Sequence, residues 1–246
     1  MADEHANRDE ALAALEESRR ELESLTYTVA HDLRAPLRAI DGFARALSDD
    51  CGERLDEDGR RYLQHVLDAA QRMSGMLEGL LTLARIFRAE LHPAASNVSS
   101  ISRGILDQFR AAEPSRAIDV VIADGIVAEA DPSLLTTVLE ALLQNAWKFT
   151  RGRQPARIEV GVHPGRPPAY FVRDNGVGFD MRYAGKLFAP FQRLHSEREF
   201  EGVGIGLAAA QRIVRRHGGR IWAEAAPDRG ATFHFTLAET LEAREP

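Results

Sequence analysis

Five stretches of this sequence carry residue types and spacings that can do chemistry. The first is His31-Asp32-Leu33-Arg34-Ala35-Pro36-Leu37, where a carboxylate next to an imidazole can orient the ring and take its proton, raising its nucleophilicity. In Glu140-Ala141-Leu142-Leu143-Gln144-Asn145-Ala146-Trp147-Lys148-Phe149-Thr150, Asn145 and Lys148 are three residues apart and share a face if the stretch is helical. An amide oxygen can ligate Mg²⁺, and an ammonium can offset phosphate charge. Asp174-Asn175-Gly176-Val177-Gly178-Phe179 joins a carboxylate able to accept an adenine amino hydrogen to glycines that let the backbone approach a flat base. Phe188-Ala189-Pro190-Phe191-Gln192-Arg193 sets aromatic pegs around a proline, with Arg193 suited to a terminal phosphate. Gly202-Val203-Gly204-Ile205-Gly206-Leu207 opens a helix and offers backbone N–H groups and a positive dipole end to phosphate.

Taken singly, each stretch has a plainer explanation. A His-Asp pair on a helix is ordinary surface. Asn145 and Lys148 suit the polar edge of an amphipathic helix, Asp-Asn-Gly is good turn chemistry, and Phe188 and Phe191 suit simple core packing. A glycine-rich loop so near the C-terminus is misplaced for a dinucleotide fold, and no Gly-x-x-x-x-Gly-Lys-Ser/Thr loop is present. Pro36 weighs the other way, because a proline inside a helix costs about 3 kcal/mol and calls for a reason.

The elements that must position these residues differ between the two parts of the chain. Leu12, Leu15, Leu22, Leu25, Val29, Pro36, Ile40, Phe43 and Leu47 recur mostly in steps of three and four, one face of a helix. With Val29 inward, His31 lies about 200° round and faces solvent. Ser48-Asp49-Asp50-Cys51-Gly52 breaks the pattern. Leu63, Val66, Ala70, Met73, Leu77, Leu80, Ala84 and Phe87 then form a heptad seam. Two antiparallel helices of this kind cannot bury both stripes alone, so two copies are expected to form a dimeric four-helix bundle.

Beyond a linker at residues 91–97, the pattern predicts helices over 98–112, 132–149 and 205–217, the second capped by Asp131 with Pro132 in its first turn. Strands are expected over 117–121, 157–162, 169–173, 220–225 and 232–237. The expected architecture is a helical hairpin over 1–92, its residues 1–25 the start of a signal helix, followed by an α/β sandwich with a mixed sheet over 93–246.

Composition narrows the classes further. The 246 residues are 44% hydrophobic and 28% charged, ordinary for a packed domain, and the net charge of -6 argues against a nucleic-acid partner. The single cysteine, Cys51, excludes an internal disulfide. No run approaches the roughly 18 apolar residues of a membrane span. The expectation is a soluble, cytoplasmic chain without a membrane segment.

The stretch Thr28 to Leu37 resembles the H-box of sensor histidine kinases. The four later motifs, in this order, resemble the N, G1, F and G2 boxes of the Bergerat-type (GHKL) ATP-binding domain, a fold shared with gyrase-type and Hsp90-type ATPases; Gly230-Ala231-Thr232-Phe233 resembles its last, weaker box. The resemblance implies a protein-histidine kinase in which His31 accepts phosphate and Asp32 acts as base. It implies that Asn145 holds Mg²⁺, that Lys148 and Arg193 engage phosphates and that Asp174 reads adenine. Phe149, Gly176, Gly178, Gly202, Gly204, Gly206, Leu207 and Thr232 would complete the ATP site. It also implies a homodimer, phosphotransfer to an aspartate of a response-regulator receiver domain, and an upstream sensor domain signalling through residues 5–28.

Two positions depart from the family pattern. Ala141 stands where an asparagine is usual, removing a polar contact, and Ala35 stands where a residue that positions water is common, implying weak phosphatase activity. A docking scaffold that binds ATP poorly and a nucleotide-driven ATPase stay open as rivals. The ATPase wants an acid at position 141, whereas Glu140 is displaced by about 100°, and it gives His31 no purpose.

Overall fold

The computed structural model describes the backbone of residues 2–88, 90–194, 200 and 202–238, and the side chains of 17, 26–86, 90–194, 200 and 202–238. The chain divides into two units, Met1–Arg88 and Ala89–Pro246.

The first unit is a hairpin of α1 (Ala2–Cys51) and α2 (Glu57–Arg88), joined through a short 3₁₀ turn at Gly52–Arg54. Asp56 ends the turn: its Oδ1 accepts from the Gly59 amide at 2.7 Å, satisfying a donor that the first turn of α2 leaves open. The helix α1 continues through Pro36, whose ring lies at the exposed surface. Ala30, Leu37, Ala70, Leu77 and Leu81 form the seam between the helices, with Tyr27 and Leu80 packed against it.

The expected inward face differs from the one found within a single chain. Ala30, Leu37 and Ala44 are buried, while Val29, Ile40, Phe43 and Leu47 are exposed. The heptad seam of α2 splits in the same way: Leu63, Ala70, Leu77 and Ala84 are buried, and Val66 and Met73 are not. Small alanines let the two helices approach closely, which leaves the bulkier residues on an adjoining, uncovered stripe. Leu12, Leu15, Leu22, Leu25 and Phe87 lie outside the described side chains.

The second unit is a layer of helices on a mixed sheet. Its elements are β1 (Ala94–Asn97), α3 (Val98–Ala112), β2 (Ile118–Ile122), β3 (Val127–Ala130), α4 (Pro132–Phe149), β4 (Ala156–His163), β5 (Ala169–Asp174), α5 (Gly206–Arg216), β6 (Ile221–Ala225) and β7 (Ala231–Thr236). Strand order in the main sheet is β2-β4-β5-β7-β6, with β2 and β4 parallel and the other neighbours antiparallel. The helices and main-sheet strands expected from the sequence lie within one residue of these bounds. The core between the layers is built from Leu106, Leu139, Leu142, Ile158, Val172, Ile213 and Phe235, all nearly inaccessible.

Part of the expected 91–97 linker is a strand. β1 pairs antiparallel with β3, in register Ala94 to Ala130. Ala-Ala-Ser-Asn carries almost no β-propensity; the pairing is helped by the Ser96 hydroxyl, which donates to the Ala130 carbonyl at 3.2 Å. Asn97 then caps α3, accepting from the Ser100 amide at 2.8 Å.

Candidate active site

His31 stands on the outer side of α1, with 63% of its side chain exposed. Its Nδ1 lies 3.3 Å from Asp32 Oδ1, and Tyr27, one turn earlier, stacks on it with ring centroids 6.4 Å apart. With Nδ1 carrying the proton toward the carboxylate, the lone pair of Nε2 points away from the helix.

In the second unit, α4 carries Asn145 and Lys148 one turn apart and both half-buried. Asp131 caps the start of this helix, accepting from the Ser133 and Leu134 amides at 3.0 and 3.1 Å. Arg116 closes its end, stacking on the Trp147 ring at 4.4 Å and donating to the Trp147 carbonyl and to Thr150 Oγ1. The Lys148 ammonium lies 4.3 Å from the centre of the Phe149 ring. Burial, and then the charge of Arg193, lower its pKa to about 8. Gly202 belongs to the same corner, since a Cβ there would lie 3.6 Å from Lys148 Nζ. Arg193 donates to the Phe200 carbonyl, and Phe200 packs edge-on against Phe149 at 4.8 Å.

Asp174 ends β5 on the face turned toward α4, and only 6% of it is exposed. Burial raises its pKa to about 6 against the opposing effect of hydrogen bonds from the Gly176 and Ala231 amides. The loop after it is closely fitted. A Cβ on Gly176 would lie 2.4 Å from the Phe149 carbonyl oxygen, and one on Gly178, at φ +60°, 2.0 Å from that of Ala226. Glycine is the residue that fits both places. The segment of Phe191 is stitched to the glycine-rich segment, its amide donating to the Gly204 carbonyl at 3.0 Å. Gly206 packs on Ala141, a Cβ there lying 3.4 Å from the alanine Cβ. Leu207 follows, half-buried in the first turn of α5.

Asn145, Lys148, Phe149, Asp174, Gly176, Gly178, Arg193, Gly202, Gly204, Gly206 and Leu207 thus fall in the segments around the end of α4 and the start of α5. Thr232 does not join them. β7 pairs with β5 so that Ala231 stands opposite Asp174 and Thr232 opposite Arg173. Strand alternation therefore turns Thr232 to the other face of the sheet, where its hydroxyl meets Arg173 Nε at 3.3 Å. Sequence reasoning missed Ala231, the inward neighbour of Asp174, and Arg153, which donates to the Gly176 carbonyl at 3.2 Å. The register of β7 could have been found from its alternation; nothing local marks Arg153.

Comparison with known proteins gives this arrangement its family. Residues 21–86 match the family described as "His Kinase A (phospho-acceptor) domain", and residues 130–241 match "Histidine kinase-, DNA gyrase B-, and HSP90-like ATPase". The chain belongs to the histidine kinases. It is a sensor histidine kinase transmitter module, with His31 inside the first matched region and Asn145, Asp174 and the glycine-rich segment inside the second. This kinase is 34% identical over 229 residues to cyanobacterial phytochrome B of Nostoc sp., a match covering 92% of the chain and 30% of that relative. It is 36% identical over 231 residues to the methanogenesis regulatory histidine kinase FilI of Methanothrix harundinacea, covering 93% and 26%. The chain therefore spans less than a third of either relative. Full-length ShkA in complex with AMPPNP has the same fold, with a TM-score of 0.61 at 23% identity over 87% of this kinase and 45% of that chain. Among the described residues, no helix of the kinase is long and apolar enough to cross a membrane.

Proposed function

We propose that this transmitter phosphorylates its own His31 from MgATP and passes the phosphoryl group to an aspartate of a response-regulator receiver domain. The observation that carries the reading is the exposed imidazole with Asp32 at its Nδ1. Nε2 attacks the γ-phosphorus, an N–P bond forms, the bond to the bridging oxygen breaks and ADP leaves. The Nδ1 proton of the resulting imidazolium is drawn to Asp32.

The chemistry of the second unit fits a nucleoside triphosphate. Burial and then the neighbouring charge of Arg193 lower the basicity of Lys148, and two cationic side chains this close suit the charge of a phosphate group. Asp174 presents a desolvated carboxylate to an amino group of the base. Bound Mg²⁺ would neutralise phosphate charge, and Asn145 is the residue to hold it. Further parts of the proposal are a homodimer formed through the uncovered stripe of α1 and α2, a sensor domain upstream, and a cytoplasmic setting where ATP and receiver domains are available.

Incubation with γ-labelled ATP tests this. The unaltered chain should take up acid-labile, alkali-stable label, and His31→Gln and Asn145→Ala should take up none. Label persisting in His31→Gln would leave the reading without its phosphoacceptor.

A further inference from the structure

Arg153 sits in the turn between α4 and β4, its amide donating to the Thr150 carbonyl at 3.1 Å. One end of its guanidinium reaches two segments distant in sequence. Nη2 donates to the Gly176 carbonyl at 3.2 Å and to Asp228 Oδ1 at 2.8 Å. Its Nε is buried and has no hydrogen-bond partner among the described residues, so the side chain holds this pose against a desolvation cost rather than for its own satisfaction.

The two segments it joins are interlocked. Asp228 takes a left-handed conformation, φ +62°, rare for a residue with a side chain. Its amide donates to the Val177 carbonyl at 2.7 Å. A Cβ on Gly230, at φ +80°, would lie 2.0 Å from the Asp174 carbonyl oxygen. Gly176 is therefore gripped at both ends: its carbonyl by Arg153, and its amide by Asp174 Oδ1 at 2.8 Å. The bond at the amide end also fixes where the carboxylate points.

We infer that Arg153 is a positioning residue for nucleotide recognition: by holding Gly176 and the strained turn at Asp228 together, it fixes the direction of the Asp174 carboxylate and so sets the preference for adenine over guanine. This rests on the proposal that Asp174 reads the base. Arg153 itself needs no contact with the nucleotide.

The test measures binding of ATP and of GTP to the whole chain by calorimetry, with thermal melts alongside. Arg153→Ala should weaken ATP about tenfold, the loss of one well-aimed hydrogen bond to a charged group, and leave GTP nearly unchanged. Arg153→Lys, which keeps the charge but not the fork, should recover part of the preference. Asp228→Gly accepts the positive φ without strain and keeps the fold, so it should lose a smaller part of the preference through the missing ion pair alone. ATP and GTP weakening together, in step with the melting temperature, would make Arg153 a structural residue only and overturn the inference. An unchanged preference in Arg153→Ala, beside an unaltered chain that prefers ATP, overturns it too. An unaltered chain with no preference for ATP overturns the reading of Asp174 and this inference with it.

Discussion

Asp174 is held at the expense of its own solvation. Burial lifts its pKa from 3.8 to about 6, and a rise of about two units corresponds to about 3 kcal/mol against the ionised form. A folded-state pKa above the unfolded one places this cost at high pH: none below about 4, growing as pH rises toward 6, and complete above it. Asp174→Asn keeps an oxygen for the Gly176 amide and removes the charge. The variant should therefore be more stable than the unaltered chain by about 1–3 kcal/mol at pH 7.5, the advantage fading as pH falls from 6 to 4. Urea melts across that range would check it, and a difference independent of pH would refute the account. The same variant should bind ATP at least about tenfold more weakly, since a neutral amide is a poorer acceptor for the base amino group. Stability given up at a residue that does not hold the fold together is what a binding role predicts.

At the scale of elements, the second unit depends on how α4 and α5 are fixed to each other. His217, just past the end of α5, is buried, and its Nε2 accepts from the Asp131 amide at 3.0 Å. Since that nitrogen accepts, Nδ1 carries the proton and donates to the Ile213 carbonyl at 2.9 Å. One ring thus closes the C-terminus of α5 and ties it to the cap of α4. His217→Ala leaves a buried amide without its acceptor and should cost about 2 kcal/mol in a urea melt. Nucleotide affinity should hardly change, because Asn145 lies fourteen residues further along α4, about 20 Å away. A large loss of ATP binding with stability intact would contradict that separation.

The glycine segments at 174–178 and 202–206 were legible in the sequence because clustered glycines stand out as a residue type, even though the carbonyls that crowd Gly176 and Gly178 belong to the distant Phe149 and Ala226. So was α4, whose cap and last turn are spelled out within the helix. Arg153 was not legible: its contacts lie twenty-three and seventy-five residues away, and an arginine in a polar turn reads as surface. The strand β1 was missed for the same reason, since its pairing is set by β3 and not by its own four residues. Thr232 was misplaced by one step of alternation, which only the register with β5 resolves.

At the scale of the molecule, the hairpin leaves unfinished packing. Val29, Leu33, Ile40, Phe43 and Leu47 are exposed on α1, and Tyr62, Val66, Met73 and Met76 on α2. A stripe of this size on a helical hairpin marks a contact surface. The sequence periodicity merged this stripe with the buried seam on α2 and picked out the stripe alone on α1, because a heptad counts apolar positions without saying which chain covers them. His31 lies about 160° round α1 from the mean direction of the stripe, so a second copy docked there leaves its imidazole free. Phe43 is the most exposed of these side chains, at 78%. Burying it in a symmetric dimer would contribute about 2 kcal/mol in each copy, twice over by symmetry. Phe43→Asp removes that contribution and sets two like charges into the contact, so sedimentation should show a monomer at micromolar concentration where the unaltered chain is a dimer. Within one chain Phe43 packs against little, so helix content measured by circular dichroism should be retained. A variant that stays fully dimeric would exclude this stripe as the contact and send the search to another face of the hairpin.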